Sequence, residues 1–273
     1  MAATGARMRL ILINGVYGTP EQFDALRGAL APGIRADVFT FRREGEPDPH
    51  PDRGFGPMVR RLDRAVGAEP PPGTDDAATG AAPARPVLLG FSLGGALALE
   101  YALEHADRIS ALVLVNAFDR FHLAGLHPGA VPPVWRVPVA IRHRSFLSSF
   151  VHRVPWLRRG LFHHEATLDD VHRGMEQATL AVSGDDLRFQ LAHLGLPLPR
   201  GQGERLARLA ERLPVLLIAS RDDMVVAPFH TERLATVMPA ARRLPPFEGG
   251  HAFFQHDGAP LAAAVRGFLA EVS

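Results

Sequence analysis

The 273-residue sequence predicts an α/β fold, with a mostly parallel sheet, helices on both faces of that sheet and one helical insertion. Short apolar runs alternate with amphipathic helical patterns over residues 8–117 and again over 204–273, as expected for strand–helix–strand units. The alternation stops between residues 118 and 203, where helical patterns replace it. We therefore expect an α/β core built from residues 1–117 and 204–273 and a helical cap formed by residues 118–203.

The composition excludes several classes of protein. Apolar residues make up 47% of the chain without forming a run of membrane-spanning length, so we expect a soluble globular protein with no stable membrane insertion. The absence of cysteine excludes disulfides, thiolate zinc sites and a cysteine nucleophile. A net charge of +1 gives no electrostatic reason to expect nucleic-acid binding. The short apolar run at 10–13 lacks the features of a signal peptide, so a cytoplasmic location is the default expectation.

The first half of the chain supplies the first strands in order. Apolar runs predict strands at 8–13 and 34–41, and helical spacing predicts helices at 20–30 and 58–68. Thr19 stands where it could cap the first of these helices. Residues 69–86 are rich in proline and alanine and predict a flexible surface insertion.

A serine stands at the turn between the third strand and its helix. Residues 86–97 read Pro-Val-Leu-Leu-Gly-Phe-Ser-Leu-Gly-Gly-Ala-Leu, an apolar run that ends in Gly-x-Ser-x-Gly and continues as a helix. Gly90 and Gly94 keep the flanks of Ser92 free of Cβ atoms, which allows a strained turn. The N–H of Leu93 falls at a helix N-terminus, which favours a developing anion. The pattern is typical of a serine nucleophile, and its alternative is a tight turn whose glycines serve packing.

The second half continues the pattern after the predicted cap. Strands are predicted at 109–117, 214–220 and, more weakly, 242–247, and helices at 204–213, 228–237 and 260–272. Within the cap, Thr167-x-x-Asp170 predicts the start of a helix.

Three chemically useful side chains follow three of these strands. Ser92 follows the third strand, Asp222 or Asp223 follows the strand at 214–220, and His251 follows the weak strand. The carboxyl ends of parallel strands share one edge of a sheet, so the three side chains can meet there. A hydroxyl, an imidazole that takes its proton and a carboxylate that orients the imidazole form a nucleophilic site. The order Ser, Asp, His along the chain is typical of one fold.

That order and four motifs carry a resemblance over essentially the full length of the chain. The chain resembles the α/β-hydrolase superfamily, in its cap-bearing serine hydrolase branch. The motifs are Gly90-x-Ser92-x-Gly94-Gly95, Asp223-Met224-Val225-Val226, Gly249-Gly250-His251 and Asn14-Gly15-Val16-Tyr17-Gly18. The resemblance implies a three-layer fold, with Ser92 as nucleophile, His251 as base and Asp223 as the orienting acid. It also implies an oxyanion hole formed by the backbone N–H groups of Leu93 and Val16.

The chain departs from the family pattern in places. Asn14-Gly15 stands where the family usually has His-Gly, and the first strands of the family sheet are missing, which leaves about six. The acid stands one strand earlier in some relatives, where this chain has Asp119. Asp222 and Asp119 are therefore alternative acids. Asn14, Tyr17 and Phe91 are candidate substrate-pocket residues.

The resemblance implies hydrolysis of an ester-like bond without a cofactor, on a small-molecule acyl substrate. Thioester hydrolysis, acyl transfer, enol-lactone hydrolysis and C–C bond hydrolysis would use the same site, and a ligand-binding receptor would use the same fold. Residues 135–164 hold six arginines, four histidines and no acid. This stretch is either a solvated helix face or a site for an anionic or carrier-linked substrate or an anionic membrane surface. No residue set has the spacing of a catalytic zinc site, so no metal is expected.

Overall fold

The computed structural model describes residues 8–16, 18–41, 55–68, 85–119, 202–223 and 225–272, together with a few residues between 167 and 190. The predicted insertion at 69–86 and the predicted cap at 118–203, including the arginine-rich stretch at 135–164, lie largely outside the described residues. The structural account below concerns the described residues.

A six-stranded sheet forms the centre of the molecule. Its strands are β1 (Met8–Ile13), β2 (Ile34–Phe39), β3 (Val87–Phe91), β4 (Ala111–Val115), β5 (Val215–Ile218) and β6 (Arg242–Arg243). They lie in the order β2-β1-β3-β4-β5-β6, and all neighbouring pairs are parallel. The predicted α/β fold with about six strands is confirmed. From β1 the chain adds β2 on one side and then β3 to β6 on the other, so the strand order reverses between β1 and β3. In parallel sheets, ligand-binding crevices form at the carboxyl edge at such a point.

Among the described residues, six helices connect and cover the strands. They are α1 (Asp24–Leu30), α2 (Gly56–Gly67), α3 (Leu93–His105), α4 (Gln202–Arg212), α5 (Phe229–Val237) and α6 (Ala259–Val272). Short 3-10 helices stand at Pro20–Phe23, Ala106–Arg108 and Phe253–Gln255.

The sheet is buried on both faces. In β1, Leu10 and Leu12 belong to one hydrophobic cluster, whereas Ile11 and Ile13 belong to the other, because successive side chains of a strand point to opposite faces. Apolar residues of α1 and α6 complete the first cluster, and those of α2, α3, α4 and α5 complete the second. The result is the predicted three-layer arrangement of helices, sheet and helices.

Local departures from the predictions have physical causes. The helix after β1 begins as a 3-10 turn in which Gln22 N–H donates to the Thr19 carbonyl at 3.1 Å, and the Thr19 side chain makes no capping bond. Thr19 is therefore the N-cap residue, as predicted, but its side chain does not cap the helix. The weak last strand is reduced to β6 and a single bridge between Ser220 and Phe247, since its arginines are exposed at the sheet edge and bury no apolar surface.

The helix start at Thr167 has the predicted capping pair. The Asp170 N–H donates to Thr167 Oγ1 at 3.2 Å, and the Thr167 N–H donates to Asp170 Oδ2 at 2.9 Å. Throughout the part of the chain that the structure describes, no helix is both long and apolar enough to cross a membrane.

Candidate active site

Ser92 occupies a strained turn between β3 and α3. Its φ of 55° and ψ of −122° fall where non-glycine residues are uncommon, and such strain concentrates at functional sites. The turn is fixed because the Ser92 N–H donates to the Val115 carbonyl at 3.0 Å and the Ser92 carbonyl accepts the Gly95 N–H at 2.9 Å. The residue therefore stands at the carboxyl edge of the sheet, directly after β3.

Close packing brings the loop after β1 against this turn. A Cβ at Gly94 would stand 2.3 Å from the Ile13 carbonyl oxygen, and a Cβ at Gly15 would stand 3.0 Å from Ser92 Cβ. The Gly18 N–H bonds back to the Gly15 carbonyl at 3.3 Å, a turn bond that does not use the Val16 N–H. Leu93 is the first residue of α3, and the first N–H groups of a helix have no acceptor within it.

His251 and Asp223 form a buried hydrogen bond. His251 Nδ1 lies 2.7 Å from Asp223 Oδ2, and the Asp223 side chain has no exposed surface. The other oxygen, Oδ1, accepts the N–H groups of Val225 at 2.7 Å and Val226 at 2.9 Å. With Asp223 ionised, the proton resides on Nδ1 of the imidazole, so Nε2 is the atom able to accept a proton.

The neighbouring carboxylate, Asp222, has a different set of partners. Its Oδ1 accepts the Ser220 hydroxyl at 2.8 Å and the N–H groups of Gly249 at 3.1 Å and Gly250 at 2.9 Å. Burial raises the pKa of Asp222, but the hydrogen bonds from Gly250, Ser220 and Gly249 outweigh it and hold the pKa below its ordinary value. Asp222 thus holds the loop that leads into His251.

The third candidate acid, Asp119, pairs with an arginine. Arg233 Nε donates to Asp119 Oδ1 at 3.0 Å, and Arg233 Nη2 donates to Oδ2 at 3.0 Å. The Asp119 side chain is 3% exposed, so this bidentate ion pair neutralises the buried charge of its carboxylate. Of the three candidate acids, Asp223 is the one that the structure brings to His251.

One polar residue at this edge was not among the candidates predicted from the sequence. Asn116 directly follows β4 and is fully buried; its side chain bonds both the His251 carbonyl, at 2.6 Å, and the Ser220 N–H, at 2.7 Å. Its position in the sequence could have indicated it. A polar residue at the carboxyl end of a buried parallel strand lies at the sheet edge where ligand-binding and active sites form.

The candidate pocket residues differ in their surroundings. Phe91 is buried, with its ring 4.7 Å from the His251 ring between centroids. Asn14 is fully buried, and neither polar atom of its side chain has a hydrogen-bond partner among the described residues. Tyr17 lies outside the described residues. In the described ranges, no group of three or more His, Asp or Glu side chains could hold a metal ion.

Comparison with known proteins gives the chain its family. It is 26% identical over 280 residues to the "Putative carbamate hydrolase RutD" of Caulobacter sp. (strain K31), covering 96% of this chain and 91% of that protein. It is 28% identical over 250 residues to the pimeloyl-[acyl-carrier protein] methyl ester esterase of Aromatoleum aromaticum, covering 91% and 92%. The solved structure of the enol-lactonase from Burkholderia xenovorans LB400 is similar with a TM-score of 0.69 at 17% identity, over 98% of this chain and 93% of that one. The family model described as "Alpha/beta hydrolase family" matches residues 10–264, and the chain therefore belongs to the alpha/beta hydrolase family of enzymes.

Proposed function

We propose that this protein is a serine hydrolase that cleaves an ester-like bond of a small molecule through Ser92, His251 and Asp223. The observation that carries the proposal is the buried 2.7 Å bond between His251 Nδ1 and Asp223 Oδ2. It stands at the same sheet edge as Ser92, whose φ of 55° marks a strained turn. A carboxylate that fixes the imidazole tautomer beside a strained serine is the arrangement that nucleophilic acyl transfer requires.

The reaction proceeds in two halves. Ser92 Oγ attacks the acyl carbon while His251 Nε2 takes the hydroxyl proton, and the tetrahedral adduct expels the alcohol, which receives that proton from His251. Water then attacks the acyl-enzyme, gives its proton to His251 and releases the carboxylic acid, with the proton returning to Ser92. Asp223 stays ionised throughout and stabilises the imidazolium.

The negative charge of each tetrahedral adduct is held by backbone N–H groups of Leu93 and Val16. Leu93 supplies the positive end of α3, where charge development is favoured. Val16 stands in the loop that Gly15 and Gly94 allow to pack against Ser92. Removing one such donor typically costs about 10²–10³ in rate.

An acyl group attached to a carrier is a second candidate substrate. The similarity to a pimeloyl-[acyl-carrier protein] methyl ester esterase supports it, as does the arginine-rich sequence at 135–164, which suits an anionic carrier group. Thioester hydrolysis, acyl transfer, and enol-lactone and C–C bond hydrolysis also remain open to the same residues. A panel of short-chain esters, acyl-coenzyme A thioesters and lactones separates ester, thioester and lactone hydrolysis by their relative kcat/KM.

Labelling with a fluorophosphonate probe tests the proposal without knowledge of the substrate. Ser92 Oγ attacks phosphorus, fluoride leaves and His251 takes the proton, so intact mass should show one adduct on the wild type. Ser92→Ala should show none. Ser110→Ala is the matched control, because Ser110 precedes β4 at the opposite edge of the sheet, and it should label like the wild type. A well-folded wild type that takes no adduct would overturn the proposal.

A receptor that binds a ligand without turnover is the competing function. Once a ligand is found, Ser92→Ala distinguishes the two. An enzyme loses turnover and retains affinity, whereas a receptor keeps its full biological activity in this variant.

A further inference from the structure

Asn116 has a backbone conformation that few residues adopt. It follows β4 directly, with a φ of 45°, in the left-handed region that asparagine tolerates better than most residues. Its own N–H continues the sheet by donating to the Ile218 carbonyl at 2.9 Å. This conformation turns the side chain away from the strand and into the buried edge of the sheet.

Both polar atoms of that side chain are used, and they join two other segments. Asn116 Nδ2 donates to the His251 carbonyl at 2.6 Å, across 135 positions of sequence. Asn116 Oδ1 accepts the Ser220 N–H at 2.7 Å, just beyond β5. A single buried carboxamide therefore ties the ends of β4 and β5 to the backbone of His251.

The segment before His251 needs such a tie. Gly249 and Gly250 have positive φ values of 119° and 83°, and glycine in these conformations restrains the chain little. Asp222 holds the N–H groups of these two glycines, but it does not bond His251. The bond from Asn116 is made to His251 itself.

We propose that Asn116 is a positioning residue for His251, acting through the hydrogen bond between its Nδ2 and the His251 carbonyl. The proposal rests on the proposed function, in which His251 takes the proton of Ser92. A general base must lie within hydrogen-bond reach of the proton that it removes, and a misplacement of about 1 Å can cost about 10²-fold in rate. Asn116 fixes the backbone from which the imidazole extends, while Asp223 fixes the ring.

Two variants separate the bond from the backbone conformation. Asn116→Gly removes both side-chain bonds and keeps a residue suited to φ of 45°. Asn116→Asp, labelled at a pH where the new carboxyl is ionised, keeps an oxygen for the Ser220 N–H but has no donor for the His251 carbonyl. In both variants we expect the maximal rate of fluorophosphonate labelling to fall by about 10–100-fold, with the half-saturating probe concentration nearly unchanged.

Gln202→Ala is the control for a general loss of stability. Gln202 is also buried, and its Nε2 donates to Glu100 on α3 at 3.1 Å, in a contact that does not involve His251. This variant loses a part-buried side-chain bond and should keep the wild-type labelling rate. Thermal melting of all variants confirms that each is folded under the labelling conditions.

Proton NMR supplies a readout that does not depend on catalysis. A 2.7 Å bond from His251 Nδ1 to Asp223 predicts a far-downfield proton resonance in the wild type. That resonance should shift or broaden in Asn116→Gly and Asn116→Asp and stay in place in Gln202→Ala. Wild-type labelling rates with an unmoved resonance in both Asn116 variants would overturn the proposal, as would equal losses in Gln202→Ala. Failure of the proposed function itself looks different, because the wild type would then take no label at all.

Discussion

The ring of Phe91 lies against the imidazole of His251, with the two centroids 4.7 Å apart and the ring planes tilted by 41°. Phe91 ends β3 and immediately precedes Ser92, so the strand that leads to the proposed nucleophile also supplies an apolar contact for the proposed base. Phe254 packs edge-on against the same Phe91 ring at 5.0 Å. Three groups therefore hold His251. The Asp223 carboxylate bonds Nδ1, the Asn116 carboxamide bonds the backbone carbonyl, and the Phe91 ring packs against the imidazole.

The assignment of Asp223 as the orienting acid predicts that the candidate acids Asp223 and Asp119 are not equivalent. In Asp223→Asn the side-chain amide favours the wrong imidazole tautomer, and we expect the maximal labelling rate to fall by about 10³–10⁴-fold. Asp119→Asn is the matched comparison, because Asp119 bonds Arg233 and not His251, and its labelling rate should stay within a few-fold of wild type. A larger loss in Asp119→Asn than in Asp223→Asn would reverse the assignment.

The hydrogen bonds of Asp222 predict an acid-dependent contribution to stability. The pKa of Asp222 is lowered in the folded protein, so its carboxylate stabilises the fold above the ordinary pKa of about 3.9. This contribution disappears as the pH falls through the lower, folded pKa. At neutral pH, Asp222→Asn should cost about 1–2 kcal/mol, since the site is only partly shielded from solvent.

Urea unfolding of the wild type and Asp222→Asn from pH 7 to pH 3 checks this expectation. The difference in the free energy of unfolding should narrow once the pH falls below about 3.9, because the Asp222 carboxyl of the unfolded chain becomes neutral there before that of the folded protein does. A difference that stays constant over this range would show that the charge of Asp222 contributes nothing.

The sequence predicted those features of the site that follow from strand order. Ser92 and His251 each follow a strand of a parallel sheet, and residue patterns alone suffice to expect them at one edge. Adjacent Asp222 and Asp223 could not be separated in this way, because one turn presents both carboxyl groups and only packing decides which meets the imidazole. Asn116 went unnoticed since its partner is a backbone carbonyl 135 positions away, which no local pattern records.

The glycine-rich start of α3 predicts a specific steric coupling. A Cβ at Gly95 would lie 2.3 Å from Ala117 Cβ, and Ala117 is buried two residues beyond the end of β4. Gly95→Ala should therefore destabilise the protein by about 1–3 kcal/mol through overpacking. Adding Ala117→Gly removes the opposing methyl group, and the double variant should be more stable than Gly95→Ala alone.

Chemical denaturation of the two single variants and the double variant measures this coupling. Gly267→Ala in α6 is the matched control, because a Cβ there has no neighbour within 4 Å, and it should match or exceed wild-type stability. Strictly additive effects of Gly95→Ala and Ala117→Gly would contradict the predicted contact.

The close packing of the loop after β1 against Ser92 predicts that a substitution at Gly15 affects the labelling rate more than the stability. In Gly15→Ala the new Cβ would stand 3.0 Å from Ser92 Cβ and 3.2 Å from the Phe91 ring, closer than comfortable packing allows. The loop must give way by a few tenths of an ångström, and the Val16 N–H moves with it. A displaced oxyanion donor costs less than the 10²–10³ of a deleted one, so we expect the maximal labelling rate to fall about 10-fold. Gly28→Ala in the exposed part of α1 has no neighbour within 4 Å of its new Cβ and should label like the wild type. If Gly15→Ala also labels at the wild-type rate while its melting temperature falls, the loop packs against Ser92 without contributing its N–H to the oxyanion hole.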